Sequence, residues 1–369
     1  MRLGIDARKL TDYGIGTYVA HLLRGLGHRD DVALSVLSRV GHEERVRLLA
    51  PGAEVIPVAA TGYGIREHVR VPMAVWRART DLLHIPHYVV PALVPGRVVV
   101  TVHDIIQLFY PPQPRPHLAL LYLRVVLRSA LRRARRVITV SRTSRRDLIN
   151  LFGAQPDRLV VVPNGVEPRL GERPPAEEID EVRSVHRLRP PLILVVANDK
   201  PHKNVDVVMR AFHLAVRRHR IPGQLILVGG LGPDHPMAVT AHTLGLDERV
   251  RFLGRISVGH LRVLYHLSAV LLHVALYEGF GLPVLEAMRA GLPVITSNLG
   301  AMRELGEGSA RLVNPLDVEE VAEALETVLV DDPLRRRMIE GGRKRAESLT
   351  WERTVERTLA VYREALGES

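Results

Sequence analysis

The sequence predicts an α/β protein with two doubly wound domains, each built on a parallel sheet that helices cover on both faces. Short apolar runs rich in valine, isoleucine and leucine alternate with amphipathic stretches along nearly all of the 369 residues. Such runs are typical of parallel strands buried on both faces. Residues 165–175, rich in proline and glycine, interrupt the alternation and read as a linker. We therefore predict domains at residues 1–168 and 176–350.

The predicted strands fall into two series. The first series is LGIDA, VALSVLS, LLHIPH, RVVVTVHD, RVITVS and RLVVVP, and the second is PLILVVA, QLILVGG, RVRFLG, AVLLHVAL and LPVITS. Helical periodicity between the strands is clearest at residues 17–27, 205–219 and 318–330. Doubly wound folds bind ligands beyond the carboxyl ends of their strands, so binding residues are expected directly after these runs.

Composition excludes several classes of protein. Hydrophobic residues make up 46% and charged residues 25% of the chain, which indicates a globular protein. The sequence contains no run of about 18 uncharged apolar residues, so we expect no transmembrane helix. Asp6 interrupts the first apolar run, which argues against a signal peptide. Cysteine is absent, which excludes disulfides and thiolate metal sites, and a cytoplasmic location is the expectation.

Basic charge is concentrated in the first half of the chain. Residues 1–170 carry 25 Lys and Arg against 13 Asp and Glu, whereas the remainder is nearly neutral. This excess favours an anionic partner such as a phosphorylated substrate, an acidic membrane or nucleic acid, or it reflects a bias toward arginine. Aromatic residues are only 4% of the chain and no nucleic-acid-binding motif is present, so we expect no nucleic-acid partner.

Two motifs of the first half follow predicted strands. In DYGIGTYV, Gly14 and Gly16 precede a helix expected from about Thr17, and they would let the backbone approach a phosphate, although a plain glycine-rich turn has the same composition. In VTVHDI, His103 and Asp104 come at the end of a buried strand, where a binding role competes with a structural histidine that caps the strand.

The second half has a lysine-containing turn, ANDKPHKN. The chain has 47 arginines and four lysines, and two of the lysines, Lys200 and Lys203, lie in this turn with Asn198 before them. Lysine offers a compact charge on a flexible stem. Cations at a helix N-terminus oppose the helix dipole, so their presence before a helix starting near Asn204 indicates a shared anion, unless the turn is simply solvated.

A second motif, YEGFGLPVLEA, places Glu278 and Glu286 on either side of a glycine-rich loop. Gly279 and Gly281 expose amides near a helix that Pro283 is expected to begin, which is a ready anion site. The carboxylates would repel a phosphate but can accept hydrogen bonds from hydroxyls on either side of it. A favourable interaction with the helix dipole explains Glu286 alone and does not explain the loop.

Together these segments resemble the retaining glycosyltransferases of family 4, which have the GT-B fold. The Glu-x7-Glu segment YEGFGLPVLEAMRAGLPVI carries the resemblance, and GIGTYVAHLL, VTVHDI, VITVSRTSRRDL, VVPNGV, KPHKN, VRFLGRIS and LTWERTVERTLAVYREAL match in order. The resemblance implies two Rossmann-like domains facing a central cleft, with the acceptor on residues 1–168 and a nucleotide-diphosphate sugar on residues 176–350. It also implies that the C-terminal helix, within residues 351–369, packs back on the N-terminal domain.

The resemblance also implies roles for individual residues. Lys203 would bind the diphosphate, Glu278 the hydroxyls of the donor sugar, and His103 would lie near the donor sugar and the acceptor as a third catalytic residue. The other donor-binding residues that it implies are Gly14, Gly16, Asn198, Lys200, Arg255, Phe280, Gly281, Leu282 and Glu286, with Asp104 on the acceptor side. Among these, the glycines at 14 and 16 would close over the diphosphate, and the amides at 280–282 would hold the sugar and the phosphate. Glu286 would contact the ribose, and Arg255 would lie near the base. Many family members have arginine where this chain has Asn198, and Lys200 is the candidate to replace that charge.

The implied reaction transfers a sugar to an acceptor hydroxyl with retained anomeric configuration, without metal or cofactor. A nucleotide-sugar epimerase on the same fold is the alternative enzyme, and a non-enzymatic anion-binding or nucleic-acid-binding protein is the third possibility.

The helix predicted from HLALLYLRVVLRSALRRARRV places Arg124, Arg128 and Arg132 on one face. We expect this helix to bury its apolar face in its own domain, with peripheral contact to anionic lipid as the alternative, which would suit a lipid-linked acceptor and the inner face of the membrane.

Overall fold

The computed structural model describes residues 1–59, 67–91, 93–111 and 117–368. The chain divides into two compact units. The first unit combines Met1–Gly165 with Trp351–Ser369, and the second is Val166–Thr350. Each unit is an α/β domain on an all-parallel sheet, as predicted.

The sheet of the first unit has seven strands in the order β3-β2-β1-β4-β5-β6-β7. The strands are β1 Arg2–Asp6, β2 Ala33–Arg39, β3 Glu54–Val58, β4 Leu82–Ile85, β5 Arg97–Val102, β6 Arg136–Thr139 and β7 Leu159–Val161. The helices are α1 Tyr13–Leu26, α2 Glu43–Leu49, α3 Glu67–Ala78, α4 Ile106–Phe109, α5 His117–Arg133, α6 Arg142–Phe152 and, numbered in chain order, α15 Trp351–Leu366.

Helix α15 belongs to the first unit although it follows the whole of the second in sequence. It packs against α1, where Gly25 faces Val355 so closely that a Cβ on the glycine would lie 2.6 Å from a valine methyl. The Tyr362 hydroxyl lies 2.7 Å from Nδ1 of His84, a buried side chain of β4. The C-terminal helix therefore returns to the N-terminal domain, as the resemblance implied.

The sheet of the second unit has six strands in the order β10-β9-β8-β11-β12-β13. The strands are β8 Leu192–Ala197, β9 Gln224–Gly229, β10 Val250–Gly254, β11 Val270–His273, β12 Val294–Ser297 and β13 Arg311–Val313. The helices are α7 Ala176–Val185, α8 Val205–Arg218, α9 Met237–Thr243, α10 Val258–Leu267, α11 Leu282–Ala290, α12 Gly300–Gly306, α13 Val318–Val330 and α14 Asp332–Glu347. Because β8 pairs directly with β11, the chain segments that follow these two strands leave the sheet side by side.

Two strands were not predicted, and both are edge strands. β3 contains Pro57 and is only partly buried, and β13 is three residues long with an exposed arginine at its start. Proline and charged residues are tolerated at a sheet edge because one side of the strand makes no ladder hydrogen bonds. The apolar signal that marks a central strand is therefore weak at these positions.

Two helix predictions need correction. Helix α1 begins at Tyr13 rather than near Thr17, so Gly14 and Gly16 lie in its first turn instead of in a loop before it. Helix α5 buries Leu127 and Ala130, but its N-terminal half does not bury its apolar side chains as we expected. Its exposed large apolar residues are Leu118, Leu121, Tyr122 and Val125.

Helices α3 and α5 contribute to one buried cluster with strands β2 to β6, so both cover the same face of the sheet. On α3, Val69, Met73 and Trp76 are exposed. Among the described residues, no helix has both the length and the apolar character needed to cross a membrane.

Candidate active site

The turn that carries Lys203 is held by local hydrogen bonds after β8. Asn198 Oδ1 accepts a hydrogen bond of 3.2 Å from the Lys200 amide, and the Lys203 amide donates one of 2.9 Å to the Lys200 carbonyl. Asn204, in the left-handed conformation at φ 59°, is the N-cap of α8, and its side-chain amide donates a hydrogen bond of 3.0 Å to the Val274 carbonyl. The turn is thereby fixed to the chain that follows β11.

The structure brings Lys203 and Glu278 into direct contact, although they are 75 positions apart in the sequence. The Lys203 ammonium group pairs with Oε1 of Glu278, and the Leu276 amide donates to the His202 carbonyl at 2.8 Å, which joins the two loops. His273, the last residue of β11, places its ring Nε2 3.1 Å from the same Glu278 oxygen. The sequence did not predict this histidine as a site residue.

The ion pair decides the charge of Glu278. Burial acts to raise the pKa of this carboxyl group, but the Lys203 charge and the His273 contact outweigh burial and lower the pKa to about 2. Burial, with the neighbouring Lys203 charge, lowers the pKa of His202 to about 4. Near neutral pH, Glu278 is thus a carboxylate and His202 is neutral.

The loop after Glu278 is shaped by Gly281, which adopts φ 97° and ψ 52° and is the N-cap of α11. A side chain at this position would be strained by the backbone angle, and its Cβ would lie 2.1 Å from Cε of Met302. Phe280 is buried, and Leu282 is the first helical residue, one position before the predicted Pro283. The three residues predicted to offer amides thus surround the start of a helix, where amides lack partners within the helix.

Glu286 lies on α11 and has a different environment from Glu278. The Tyr265 hydroxyl donates a hydrogen bond of 2.7 Å to its Oε2. Burial raises the pKa of Glu286, and the tyrosine bond offsets only part of that effect. Tyr265, a buried residue of α10, was also not predicted from the sequence.

Arg255 follows β10, the edge strand on one side of the sheet, and is exposed. Strand β9 lies between β10 and β8, so Arg255 leaves the sheet two strands away from the segment that carries Lys203. At about 4.8 Å per strand, this spacing is of the order of 10 Å.

The predicted residues of the first unit lie at the carboxyl ends of β1 and β5. A Cβ on Gly16 would lie 2.4 Å from the Leu10 carbonyl oxygen, so this glycine is required by close packing inside the unit, and Gly14 lies in the same helical turn. Asp104 Oδ1 accepts a hydrogen bond of 3.0 Å from the Ile106 amide at the start of α4. This bond, to the amide two residues further on, is an Asx turn before α4, whose N-cap is Ile105.

The His103 ring packs edge-on against Tyr18 with 5.0 Å between ring centroids. Burial lowers its pKa to about 4, so the ring is neutral near pH 7, and it hydrogen bonds to the Pro86 backbone. Its buried Nε2 has no hydrogen-bond partner among the residues that the structure describes. A buried polar atom without a partner is uncommon and is compatible with a ligand contact.

The first unit also contains a buried ionic cluster, which was not predicted from the sequence. The Arg8 guanidinium bonds Oδ2 of Asp6 at 2.6 Å and Oε1 of Glu67 at 2.5 Å, and His87 lies 3.4 Å from Asp6. Ligand atoms of the two acids and the histidine lie within 4.8 Å of one another, a spacing that a metal ion can use, but the guanidinium already bonds both carboxylates. Burial opposes ionisation of Asp6, and the Arg8 charge more than compensates, so the pKa of Asp6 is lowered.

Comparison with known proteins agrees with this fold. Across its whole length, the chain superposes on sucrose-phosphate synthase from Thermosynechococcus elongatus with a TM-score of 0.81 at 20% identity, and the match covers 100% of that chain. The fold is therefore that of the GT-B glycosyltransferases. Residues 13–170 match the family model for Glycosyltransferase Family 4, and residues 177–345 match that for Glycosyl transferases group 1. The chain belongs to glycosyltransferase family 4.

Curated relatives lie within the same group. O-antigen chain mannosyltransferase B of Escherichia coli is 28% identical over 308 residues, which cover 83% of this chain and 80% of the relative. The MMP alpha-(1->4)-mannosyltransferase of Mycolicibacterium hassiacum is 34% identical over 238 residues, covering 63% of this chain and 54% of the relative. With the second relative, the similarity therefore spans only about half of that protein's length.

Proposed function

We propose that the protein transfers a sugar from a nucleotide-diphosphate sugar to an acceptor hydroxyl with retention of the anomeric configuration. The observation that carries the proposal is the meeting of Lys203 and Glu278 beside the start of α11. An ammonium group and helix amides suit a diphosphate, and a carboxylate whose pKa is lowered accepts hydrogen bonds from neutral hydroxyls.

The proposed mechanism depends on stabilising the leaving group. As the bond to the sugar breaks, negative charge grows on the diphosphate, and Lys203 with the amides at 280–282 would stabilise it without a metal ion. The departing phosphate would accept the proton of the acceptor hydroxyl on the same face of the sugar, which gives retention. His103 is neutral, and its Nε2 has no hydrogen-bond partner in the described part of the chain, so it suits a hydrogen bond from a sugar hydroxyl.

Substitution of Lys203 tests the proposal. Lys203→Ala should lower turnover at saturating donor by about a hundredfold or more, because it removes a charge from the leaving group. Lys344→Ala, an exposed lysine of α14, is the matched control and should behave as wild type. Donors are first identified by thermal shift with UDP- and GDP-sugars, including mannosyl donors, since a bound donor raises the unfolding temperature. Unchanged turnover in Lys203→Ala would contradict the assignment.

The rival functions predict different products. Retention is measured by NMR of the anomeric centre of the product, and an inverted centre would contradict the mechanism. An epimerase would change the sugar of the donor in the absence of any acceptor. A nucleic-acid-binding protein would shift nucleic acid in a gel with marked salt dependence. The contacts of Glu278, to a lysine and a histidine, favour a hydroxyl-binding role over acid–base chemistry on a sugar ring.

We further propose that the acceptor is lipid-linked and that helices α3 and α5 contact an anionic membrane. Leu118 on α5 is 81% exposed and Trp76 on α3 is 74% exposed, and both helices lie on one face of the sheet. Helix α5 contains no acidic residue and exposes Arg124, Arg128 and Arg132 beside its exposed apolar side chains. An anionic bilayer offers both a negative surface and an apolar interior, and an exposed tryptophan suits its interface.

A further inference from the structure

His273 is the residue of the donor site for which the preceding proposal gives no role. It ends β11, which lies between β8 and β12 in the sheet, and its side chain is 3% exposed. The Thr296 hydroxyl donates a hydrogen bond of 2.8 Å to the His273 carbonyl, which fixes the backbone at this point. A polar ring at the end of a buried strand needs a partner, and Glu278 supplies it at 3.1 Å.

The ammonium group of Lys203 and the ring of His273 contact the same carboxylate oxygen of Glu278. Lys203 and His273 both contact Oε1 of Glu278, and Oε2 accepts no hydrogen bond from the residues that the structure describes. The carboxylate is therefore held from one side, and its other oxygen can accept a hydrogen bond from a ligand.

A bound diphosphate would share the Lys203 ammonium group with Glu278. A diphosphate carries more negative charge than one carboxylate, so a bound donor competes for the ammonium group. If the ammonium group moves toward the phosphates, Glu278 loses its strongest counter-charge inside a largely buried site, and burial then favours the protonated form. The ring of His273 is the contact that remains on Oε1.

We propose that His273 is a positioning residue that keeps Glu278 ionised and oriented toward the donor sugar once the diphosphate has engaged Lys203. His273 acts through Glu278 and does not touch the reacting atoms. The assignment rests on the proposed function, because it presumes a nucleotide-diphosphate sugar at this site. It predicts that the histidine contributes to recognition of the sugar and not to recognition of the nucleoside diphosphate.

The test compares two substitutions by calorimetric binding. His273→Leu removes the ring nitrogen, whereas His273→Gln places an amide donor near the position of Nε2. His273→Leu should bind UDP or GDP within about twofold of wild type but bind the matching nucleotide sugar about tenfold or more weakly, since one hydrogen bond to a charged group is lost. His273→Gln should recover most of the difference.

The matched control is His219→Leu. His219 lies 2.6 Å from Glu326 in the same unit but outside the donor site, so its loss tests for a general effect of removing a His–Glu pair. Thermal unfolding of each variant confirms that it is folded. Equal binding of nucleotide sugar by wild type and His273→Leu, or failure of His273→Gln to recover, would overturn the inference. Absence of nucleotide binding by the wild type would instead contradict the proposed function itself.

A pH profile gives a second, independent measurement. The charged and titratable groups that interact with Glu278 are Lys203, His202 and His273. In wild type, affinity for the nucleotide sugar should hold as the pH falls toward 5, because Glu278 stays ionised. In His273→Leu the affinity should be lost at a higher pH, and coinciding profiles would contradict the positioning role.

Discussion

At the scale of single residues, the pKa values of the two glutamates in the Glu-x7-Glu motif are shifted in opposite directions. Lys203 and His273 lower the pKa of Glu278 against the effect of burial, whereas burial raises the pKa of Glu286 despite its bond from Tyr265. A carboxyl group with a lowered pKa stabilises the fold above its usual value of 4.5 and loses that effect as the pH falls toward about 2. A carboxyl group with a raised pKa opposes folding once the pH exceeds its usual value.

Substitution by glutamine should therefore change stability in opposite directions. At pH 7, Glu278→Gln should lower the free energy of unfolding by about 3 kcal/mol, because Lys203 loses a buried counter-ion. Glu286→Gln should raise it at pH 7, and the gain should disappear near pH 4, where the native carboxyl group is protonated. Denaturant unfolding at both pH values measures the effects, with exposed Glu323→Gln as control. Equal effects of the two substitutions would contradict the assigned environments.

Sequence patterns predicted some of the side chains that the structure brings together at the candidate site and missed others. Lys203 and Glu278 were predictable because each follows a strand, and parallel strands bring their carboxyl ends to one edge. Their direct contact was not, because no local pattern states that β8 pairs with β11. His273 and Tyr265 lie within apolar segments that read as core, and only the tertiary structure shows which carboxylate each one meets.

At the scale of elements, α11 depends on glycine at both ends. Gly281 at its start and Gly291 at its end both adopt positive φ angles, 97° and 76°. The first of these conformations turns the chain from the Glu278 loop directly into the helix. The backbone angles of Gly281 therefore set the position of the loop amides. A different side chain elsewhere in the loop would not provide those angles.

Replacement of Gly281 should separate binding from stability. Gly281→Ala introduces backbone strain of about 1–2 kcal/mol and crowds the flexible end of Met302, so the loop should shift and donor affinity should fall by about tenfold or more. Gly308→Ala carries a comparable strain, at φ 74°, and no atom of the described residues lies within 4 Å of the new Cβ. It should lower the unfolding temperature similarly without affecting donor binding. Equal donor affinities in the two variants would count against a role for the loop amides.

The ends of helices and the strands at sheet edges were the parts of the fold that the sequence predicted least well. The glycines at 14 and 16 suggested a loop, yet the structure includes them in α1, because the helix begins before the amphipathic pattern becomes evident. The edge strands β3 and β13 carry too little apolar periodicity to be recognised. Central strands, by contrast, are apolar on both faces and were predicted throughout.

At the scale of the whole molecule, the exposed apolar and basic surface of α3 and α5 predicts vesicle binding. The protein should co-sediment with vesicles containing phosphatidylglycerol and not with pure phosphatidylcholine, and salt should weaken the binding. A Leu118→Gln/Leu121→Gln double variant should lose most of it. Leu48→Gln, an equally exposed leucine on α2, is the control. Unaltered sedimentation of the double variant, or binding independent of lipid charge, would contradict the proposal.

The return of α15 to the first unit has a consequence for synthesis on the ribosome. A nascent chain that ends at residue 350 contains all of the second unit but lacks the helix that covers α1 and bonds His84. The second unit is one continuous segment that contains its whole core, whereas the first unit is made of two segments separated by the second. Residues 1–165 are therefore synthesised first, yet α15 can cover α1 only after the second unit has been synthesised as well.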